Sequence, residues 1–278
     1  MIPIRRLPLT ADVTTRMATL TDQIRASVPA QRGTAARDLW RLKSTRTNVT
    51  DPIREVLQRM APGAGRCMYC GDSFGTDIDH HEPIARTPLR TFDWLNHLLA
   101  CSHCNSHDKR DRFPLDDHGR PLLIDPSAED PFDHLVLSLS VGEYRHLTEK
   151  GRRTIEICGL NRFVLSRARQ NVYRLVILCL RAWPGAVRGE NGYEPAELLH
   201  MIREQPCADV CQAMLRQVRQ PGAATVFADV PDIVDLLLDR QVRTALLVEH
   251  GVSGSGAAQE PDEVRGSDQG HHQAGRDL

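Results

Sequence analysis

Two Cys-x-x-Cys pairs form the most chemically specific pattern in this chain: Cys67 with Cys70, and Cys101 with Cys104. Each pair makes a tight turn that brings two sulfur atoms to one ion, and two such turns complete a tetrahedral set of four thiolates. Four thiolates are the usual ligands of a structural zinc ion. We therefore predict that these four cysteines bind one Zn²⁺ and that the segment between them is built around it.

The segment between the two pairs holds residues suited to catalysis. It is 30 residues long, longer than the roughly 15 to 20 of an ordinary zinc ribbon. It contains Asp79, His80 and Asn96, and Asn105 directly follows the last cysteine. Hydrolysis of a phosphodiester needs a group that takes a proton from water near neutral pH, which histidine can do. It also needs a hard divalent cation, which Asp and Asn oxygens can hold.

The order of these motifs resembles the zinc-supported HNH nucleases, which have the ββα-metal fold. From Cys67 to Arg110 the chain reads Cys-x-x-Cys, Asp-His-x-x-Pro, an asparagine, Cys-x-x-Cys-Asn and then Lys109. The resemblance implies an endonuclease that hydrolyses phosphodiester bonds in DNA with one Mg²⁺ or Mn²⁺ ion. It also implies products that carry 5′-phosphate and 3′-hydroxyl ends.

The same resemblance implies a role for each matching residue. Asp79 matches the carboxylate that binds the catalytic ion, and His80 matches the general base. Asn96 matches the asparagine that braces the loop between two strands, and Asn105 matches a second ligand of the catalytic ion. The last position of the family signature varies among His, Asn and Lys, so His107 is a further candidate ligand.

The consecutive residues Asp79, His80 and His81 allow two alignments with the family. In the first, Asp79 is the metal ligand and His80 the base. In the second, which also occurs in HNH nucleases, His80 is the ligand and His81 the base. Pro83 lies four positions after Asp79 and favours the first alignment.

Shorter motifs after the zinc segment resemble the nuclease subunit of Septu-type and retron-associated anti-phage systems. They lie at 113–114, 123–126, 154–155 and 159–162. In those systems the HNH protein acts beside an SMC-like ATPase of the ABC type. The resemblance therefore implies a bacterial defence function beside such an ATPase. Because the sequence shows no specificity domain and has a net charge near zero, we expect the region after residue 140 to dock on a partner that controls the nuclease, such as that ATPase. Convergence on a similar helical domain is the alternative explanation of these short matches.

Charge is segregated along the chain, although the net charge of 278 residues is only −1. Residues 32–66 carry eight basic and three acidic side chains, and residues 143–181 carry nine basic and three acidic ones. Residues 222–278 hold ten acidic side chains against four arginines. Contacts with DNA must therefore come from local basic segments. Arg162 with Arg169, and Arg167 with Arg174, predict two basic stripes on one helix.

The apolar segments and the cysteine content of the sequence indicate where in the cell the protein is located. The N-terminus lacks the apolar run and cleavage site of a signal peptide. The most apolar stretch, 172–180, has nine residues, far fewer than the roughly 20 that cross a bilayer. Eight cysteines without an export signal are typical of reduced or metal-bound thiols. We expect a cytoplasmic protein with no membrane contact.

Hydrophobic periodicity predicts a mainly helical α+β protein. A zinc-stapled ββα module is expected at 61–112, between a helical region at 1–60 and a helical domain at 113–250. The polar segment 251–278 is predicted to be a disordered tail. The predicted helices are 11–28, 35–43, 51–60, 146–157, 162–183 (buried and central), 194–205, 208–219 and 232–249, and the predicted strands are 122–124 and 134–140.

Two other functions are compatible with these motifs. A non-catalytic zinc module that binds nucleic acid or protein would need only the cysteines, so Asp79, His80, Asn96 and Asn105 in register argue against it. A nuclease that cuts RNA, for example transfer RNA, is not separated from a DNA nuclease by any residue of the sequence.

Overall fold

The computed structural model describes residues 1–247 and is mainly helical, with two small antiparallel sheets of two strands each. This confirms the predicted α+β composition. The segment 251–278, predicted to be a disordered tail, lies outside the described residues. None of the helices within residues 1–247 is both long and apolar enough to cross a membrane.

Four helices precede the cysteine segment: α1 Ala11–Ala26, α2 Arg32–Arg41, α3 Lys43–Thr45 and α4 Asp51–Met60. The hydroxyl of Thr10 accepts a hydrogen bond from the Val13 N–H and so satisfies one free donor at the start of α1. A π-helical turn at 46–50 leads into α4, whose apolar side is buried through Ile53 and Leu57. The three helices predicted here are present, although α2 begins at 32 instead of 35.

The segment between the cysteine pairs folds as an antiparallel hairpin of β1, Asp77–His80, and β2, His97–Ala100. A seven-residue π-helical segment, His103–Lys109, follows. It lies beside β1, because Asn105 donates a hydrogen bond to Asp77 and Lys109 donates one to Asp79. The hairpin and this helical segment therefore place the predicted catalytic residues next to each other.

The remainder of the described chain begins with a second hairpin and continues as helices. Its elements are β3 Leu135–Ser138, β4 Glu143–His146, α5 Glu149–Ile157, α6 Phe163–Val187, α7 Pro195–Glu204, α8 Asp209–Gln217, α9 Ala223–Val226, α10 Val234–Leu238 and α11 Arg240–Leu246. Strand β3 pairs with β4 along its whole length, from Leu135 opposite His146 to Ser138 opposite Glu143. The predicted strand 134–140 corresponds to β3.

Three predicted elements of this region were wrong in part. The segment 122–124 is not a strand; Leu123 and Ile124 are buried, and the Ile124 N–H donates to the Thr154 hydroxyl instead of to another strand. The predicted helix 146–157 begins only at 149, because β4 occupies the residues before it. The predicted helix 232–249 is broken at Asp239, whose carboxylate caps α11.

Helix α6 is buried on one side and exposed on the other. Val176 and Leu180 are fully enclosed, but the side chains of Phe163 and Leu178 are exposed, so the prediction of a buried central helix holds for one side of α6 only. The basic stripe predicted from Arg162 and Arg169 is wrong, because Arg169 is completely buried.

Arg169 belongs to a buried polar cluster that joins α6, α8 and β4. Its guanidinium donates hydrogen bonds to Asp209 Oδ2 at 3.1 Å and to the carbonyls of Gly142 and Leu160. Asp209 Oδ2 also accepts from Tyr144 at 2.6 Å and from the Met1 amino group at 2.9 Å. Burial alone would raise the Asp209 pKa, but these two positive charges and the tyrosine hydrogen bond lower it to about 2.

We expect Asp209→Asn to lower the free energy of unfolding by about 3 to 5 kcal/mol at pH 7, because it leaves buried cations without their counter-charge. The folded-state pKa lies below the ordinary 3.8, so this stabilisation is present above about pH 4 and is lost as pH falls toward about 2. Urea unfolding followed by circular dichroism measures both effects. Asp232→Asn, which removes an exposed ion pair with Arg181, is the matched control and should be silent. Equal losses in the two variants would contradict the assignment.

Candidate functional site

The four cysteines of the two pairs form one buried cluster. Their sulfur atoms lie within 4.8 Å of one another, and Cys70 Sγ is 3.9 Å from Cys101 Sγ. Four sulfurs bound to one Zn²⁺ at about 2.3 Å would lie about 3.8 Å apart, so the arrangement fits a tetrahedral zinc site. Burial raises the pKa of the Cys67 thiol well above its usual value, so thiolates at this position need a cation to neutralise them.

Residues from the C-terminal half contact this cluster. The Arg162 guanidinium lies 3.9 Å from Cys104 Sγ and also pairs with Asp108. On the other side, the Cys207 N–H donates to the Gly71 carbonyl at 2.7 Å, directly after the first cysteine pair. The cluster therefore supports the start of α6 and the start of α8, as well as the hairpin between the cysteine pairs.

We expect purified protein to contain about one equivalent of zinc, and Cys67→Ser or Cys104→Ser to remove it and to destabilise the hairpin, because forming the site and folding are coupled. Elemental analysis and thermal unfolding give the two measurements. Cys179→Ser is the matched control, since that buried cysteine lies on α6 outside the cluster. Well-folded wild-type protein with less than half an equivalent of zinc would contradict the prediction.

A cleft of about 250 Å³ is lined in part by Asn105, the residue that directly follows Cys104 of the cluster. Its walls come from α2, from the end of β1 with the loop after it, and from the π-helical segment with the two residues that follow it. The structure therefore brings three of the predicted catalytic residues, Asp79, His80 and Asn105, to one place. The lining residues are Arg37, Trp40, Arg41, Asp79, His80, Pro83, Ile84, Ala85, Asn105, Arg110 and Asp111.

The Asp79 carboxylate is buried, and a cation and a hydroxyl hold it in place. Lys109 Nζ, itself fully buried, donates to Asp79 Oδ1 at 3.0 Å and to the His80 carbonyl at 2.8 Å. The Tyr69 hydroxyl donates to Asp79 Oδ2 at 2.6 Å. An ionised carboxylate has about four lone-pair positions, so each oxygen can still accept a metal ion. The sequence matched Lys109 to the family but did not predict this ion pair, nor the contact with Tyr69.

The His80 ring is held with one nitrogen free of hydrogen bonds to the described chain. Its Nε2 lies 3.0 Å from the Thr91 carbonyl, which can only accept, so Nε2 carries the proton and Nδ1 is an acceptor. Trp40 packs edge-on against the ring at 4.5 Å between centroids. Burial lowers the pKa of His80 to about 4, so the imidazole is neutral at pH 7. A neutral, fixed imidazole with an acceptor nitrogen can take a proton, but a pKa of about 4 makes it a weaker base than a histidine that titrates near pH 7.

His81 is placed differently. Its ring is buried beside Phe113, with Nδ1 3.5 Å from the Tyr69 hydroxyl, and it does not line the cleft. Burial lowers the pKa of His81. This placement favours the alignment in which His80 is the base and Asp79 the metal ligand.

Asn96 holds the loop between β1 and β2. Its Oδ1 accepts from the Glu82 N–H at 2.8 Å, and its Nδ2 donates to the carbonyls of Glu82 and Arg90 at 3.0 and 3.1 Å. The side chain is buried and does not line the cleft. These contacts agree with the bracing role that the resemblance implies.

Asn105 lines the cleft, but His107 does not. Asn105 Nδ2 donates to Asp77 Oδ2 at 3.2 Å, which leaves its side-chain oxygen available to a ligand. The His107 side chain is 69% exposed, stacks on His103 at 4.7 Å and contacts Asp108 at 2.8 Å. These two histidines and Asp108 form a second group of potential metal ligands, separate from Asp79. The structure therefore does not bring His107 to the proposed catalytic ion.

No family model matches this chain. Septu protein PtuB from Bacillus mycoides (strain KBAB4) is 22% identical to it over 152 residues, which is 44% of this chain and 51% of that protein. The match thus spans about half the length of the curated relative. It supports a distant relationship to this Septu protein.

Proposed function

We propose that this protein is a metal-dependent HNH endonuclease that hydrolyses phosphodiester bonds in DNA as an effector of a bacterial anti-phage defence system. The observation that carries the proposal is that Asp79, His80 and Asn105 line one cleft, in a segment that also holds a buried cluster of four cysteines. A scaffold that only bound zinc would need neither the neutral histidine nor the oxygen ligands.

The oxygen donors of the cleft fit a hard divalent ion. The Asp79 carboxylate and the Asn105 amide oxygen would hold Mg²⁺ or Mn²⁺, both of which prefer oxygen ligands. When bound, such an ion neutralises the negative charge that develops on the phosphate and on the leaving oxygen. Lys109 and Tyr69 keep the Asp79 carboxylate in place before any ion arrives. The four-cysteine cluster has no open position and serves structure only.

His80 provides the general base in this proposal. Its Nδ1 takes a proton from a water molecule as the water oxygen bonds to phosphorus. The bond from phosphorus to the 3′-oxygen breaks, and that oxygen takes a proton from solvent, which leaves 5′-phosphate and 3′-hydroxyl ends. The Thr91 carbonyl and Trp40 keep the ring from turning during the transfer.

The similarity to a Septu protein supports the defence role. It also supports the proposal that an ATPase of the SMC-like, ABC type restrains or positions the nuclease. The region after residue 140 would form the docking surface, since it lies outside the cleft and exposes apolar side chains of α6 such as Phe163 and Leu178. The ZnCys₄-supported module proposed at 61–112 would then be the part that cuts.

We expect His80→Ala to reduce cleavage of plasmid DNA by about 10²-fold or more, because it removes the base. His81→Ala should retain more activity in any preparation that is folded and contains zinc. Agarose-gel assays with Mg²⁺ and with Mn²⁺ measure the rates, with total RNA as a parallel substrate. His118→Ala, at an exposed loop histidine, is the matched control. If His80→Ala cuts normally and a folded His81→Ala is inactive, the second alignment is correct, with His80 as the ligand and His81 as the base. If wild type degrades total RNA in preference to plasmid DNA, the substrate is RNA.

We expect Asp79→Asn and Asn105→Ala to raise the Mg²⁺ concentration needed for half-maximal cleavage, with the larger increase for Asp79→Asn because it removes the anionic ligand. Titrating Mg²⁺ against the rate of plasmid nicking measures the shift. Ser106→Ala, a neighbouring exposed position, is the control for Asn105→Ala. Full activity of wild type in EDTA would rule out a divalent-ion mechanism.

A further inference from the structure

Helix α2 forms one wall of the cleft, although it lies outside the segment proposed as the nuclease module. One face of α2 carries Arg37 together with Trp40 and Arg41, which lie three and four positions after it. All three line the same cleft as Asp79 and His80. The cleft is therefore completed by the N-terminal region.

Trp40 attaches this helix to the catalytic side of the cleft. Its ring lies 4.5 Å from the His80 ring, 5.5 Å from His97 and 5.6 Å from Phe92, measured between centroids. Aromatic pairs at these distances contribute to packing beyond the burial of their area. Because Trp40 is fixed against His80, Arg37 and Arg41 on the same face of α2 are held at the entrance to the same site.

The arginines of the cleft are not neutralised by the described chain. Within residues 1–247, Arg37 donates only to the Gly33 carbonyl, at 3.4 Å, and Arg110 only to the carbonyls of Ser106 and Asn105. Arg41, which is exposed, has no carboxylate partner among those residues either. By contrast, Asp79 in the same cleft is already paired with Lys109. Three arginines thus line the cleft against one further acid, Asp111.

The backbone at Arg110 is unusual in a way that concerns the cleft. Its φ is +50°, in the left-handed region that non-glycine residues avoid, and its N–H donates to the Asn105 carbonyl at 2.7 Å. This conformation ends the π-helical segment and directs the chain so that Arg110 lines the cleft. Strained conformations of this kind cluster at ligand sites.

We propose that Arg37 and Arg41 of α2, with Arg110, bind backbone phosphates of the DNA strand on either side of the bond that is cut. The inference rests on the proposed nuclease function and adds to it a substrate-binding wall that the zinc segment alone lacks. Guanidinium groups suit this role because they form paired hydrogen bonds with phosphate oxygens and remain charged at all physiological pH values.

The test measures binding without hydrolysis. In a His80→Ala background, anisotropy of a fluorescein-labelled DNA duplex gives the affinity at several KCl concentrations, with a single-stranded RNA of the same sequence as a second arm. Adding Arg37→Ala and Arg41→Ala should weaken duplex binding at least tenfold. It should also make the slope of log K against log [KCl] shallower by about 0.9 for each phosphate that the protein no longer neutralises. Lys43→Ala, at an exposed lysine next to α2, should change neither quantity.

Each outcome bears on a different claim. The double variant is the protein with Arg37→Ala and Arg41→Ala in the His80→Ala background. If it keeps its zinc and its thermal unfolding temperature, and its duplex affinity and salt slope are unchanged, then α2 does not bind phosphate. A loss of RNA binding without a loss of duplex binding would also overturn the proposal of a DNA site on α2. Failure of wild type to cut any nucleic acid, while the double variant still loses duplex binding, would remove the nuclease proposal and leave the phosphate-binding wall. If wild type does cut, Arg110→Ala should raise KM more than it lowers kcat, as expected for weaker substrate binding.

Discussion

The gathering of four buried sulfur atoms at one point is the constraint on which the rest of this structure depends. Burial raises the pKa of the Cys67 thiol, and four buried sulfur atoms this close together form a set that could hold one zinc ion as thiolates. Once the two Cys-x-x-Cys turns are joined, the β1–β2 hairpin and the π-helical segment are forced to lie side by side. That arrangement places Lys109 against Asp79 and Asn105 against Asp77.

The buried pair of Lys109 and Asp79 shows how the cleft combines stability with chemistry. Lys109 Nζ lies 3.0 Å from Asp79 Oδ1, and both side chains are buried, so removing either partner would leave the other without its counterpart inside the protein. The same ammonium group holds the His80 carbonyl, so one side chain fixes the position of both neighbours in β1. On the other side of the histidine, Trp40 and the Thr91 carbonyl fix the ring.

Local patterns in the sequence predicted local structure well. The cysteine spacing predicted the four-sulfur cluster, and apolar periodicity predicted α1, α4 and α6, because both signals depend on residues close in the chain. Long-range contacts were not predictable in this way. The sequence around Arg169 predicts an exposed arginine. In the fold it is buried, because Asp209, 40 positions later, supplies its counter-charge inside the core. Likewise, His107 lies near Asn105 in sequence but points elsewhere on a π-helical turn, and the place of α2 at the cleft depends on an aromatic contact between Trp40 and His80.

The left-handed backbone at Arg110 sets conflicting demands on that position. Glycine would adopt its φ of +50° without steric cost, and asparagine would do so more readily than arginine. Either residue would relax the chain but would remove a guanidinium group from the cleft. Substitutions at position 110 that raise thermal stability would therefore lower the affinity of the cleft for an anionic ligand. A selection for thermostable variants alone would favour such substitutions.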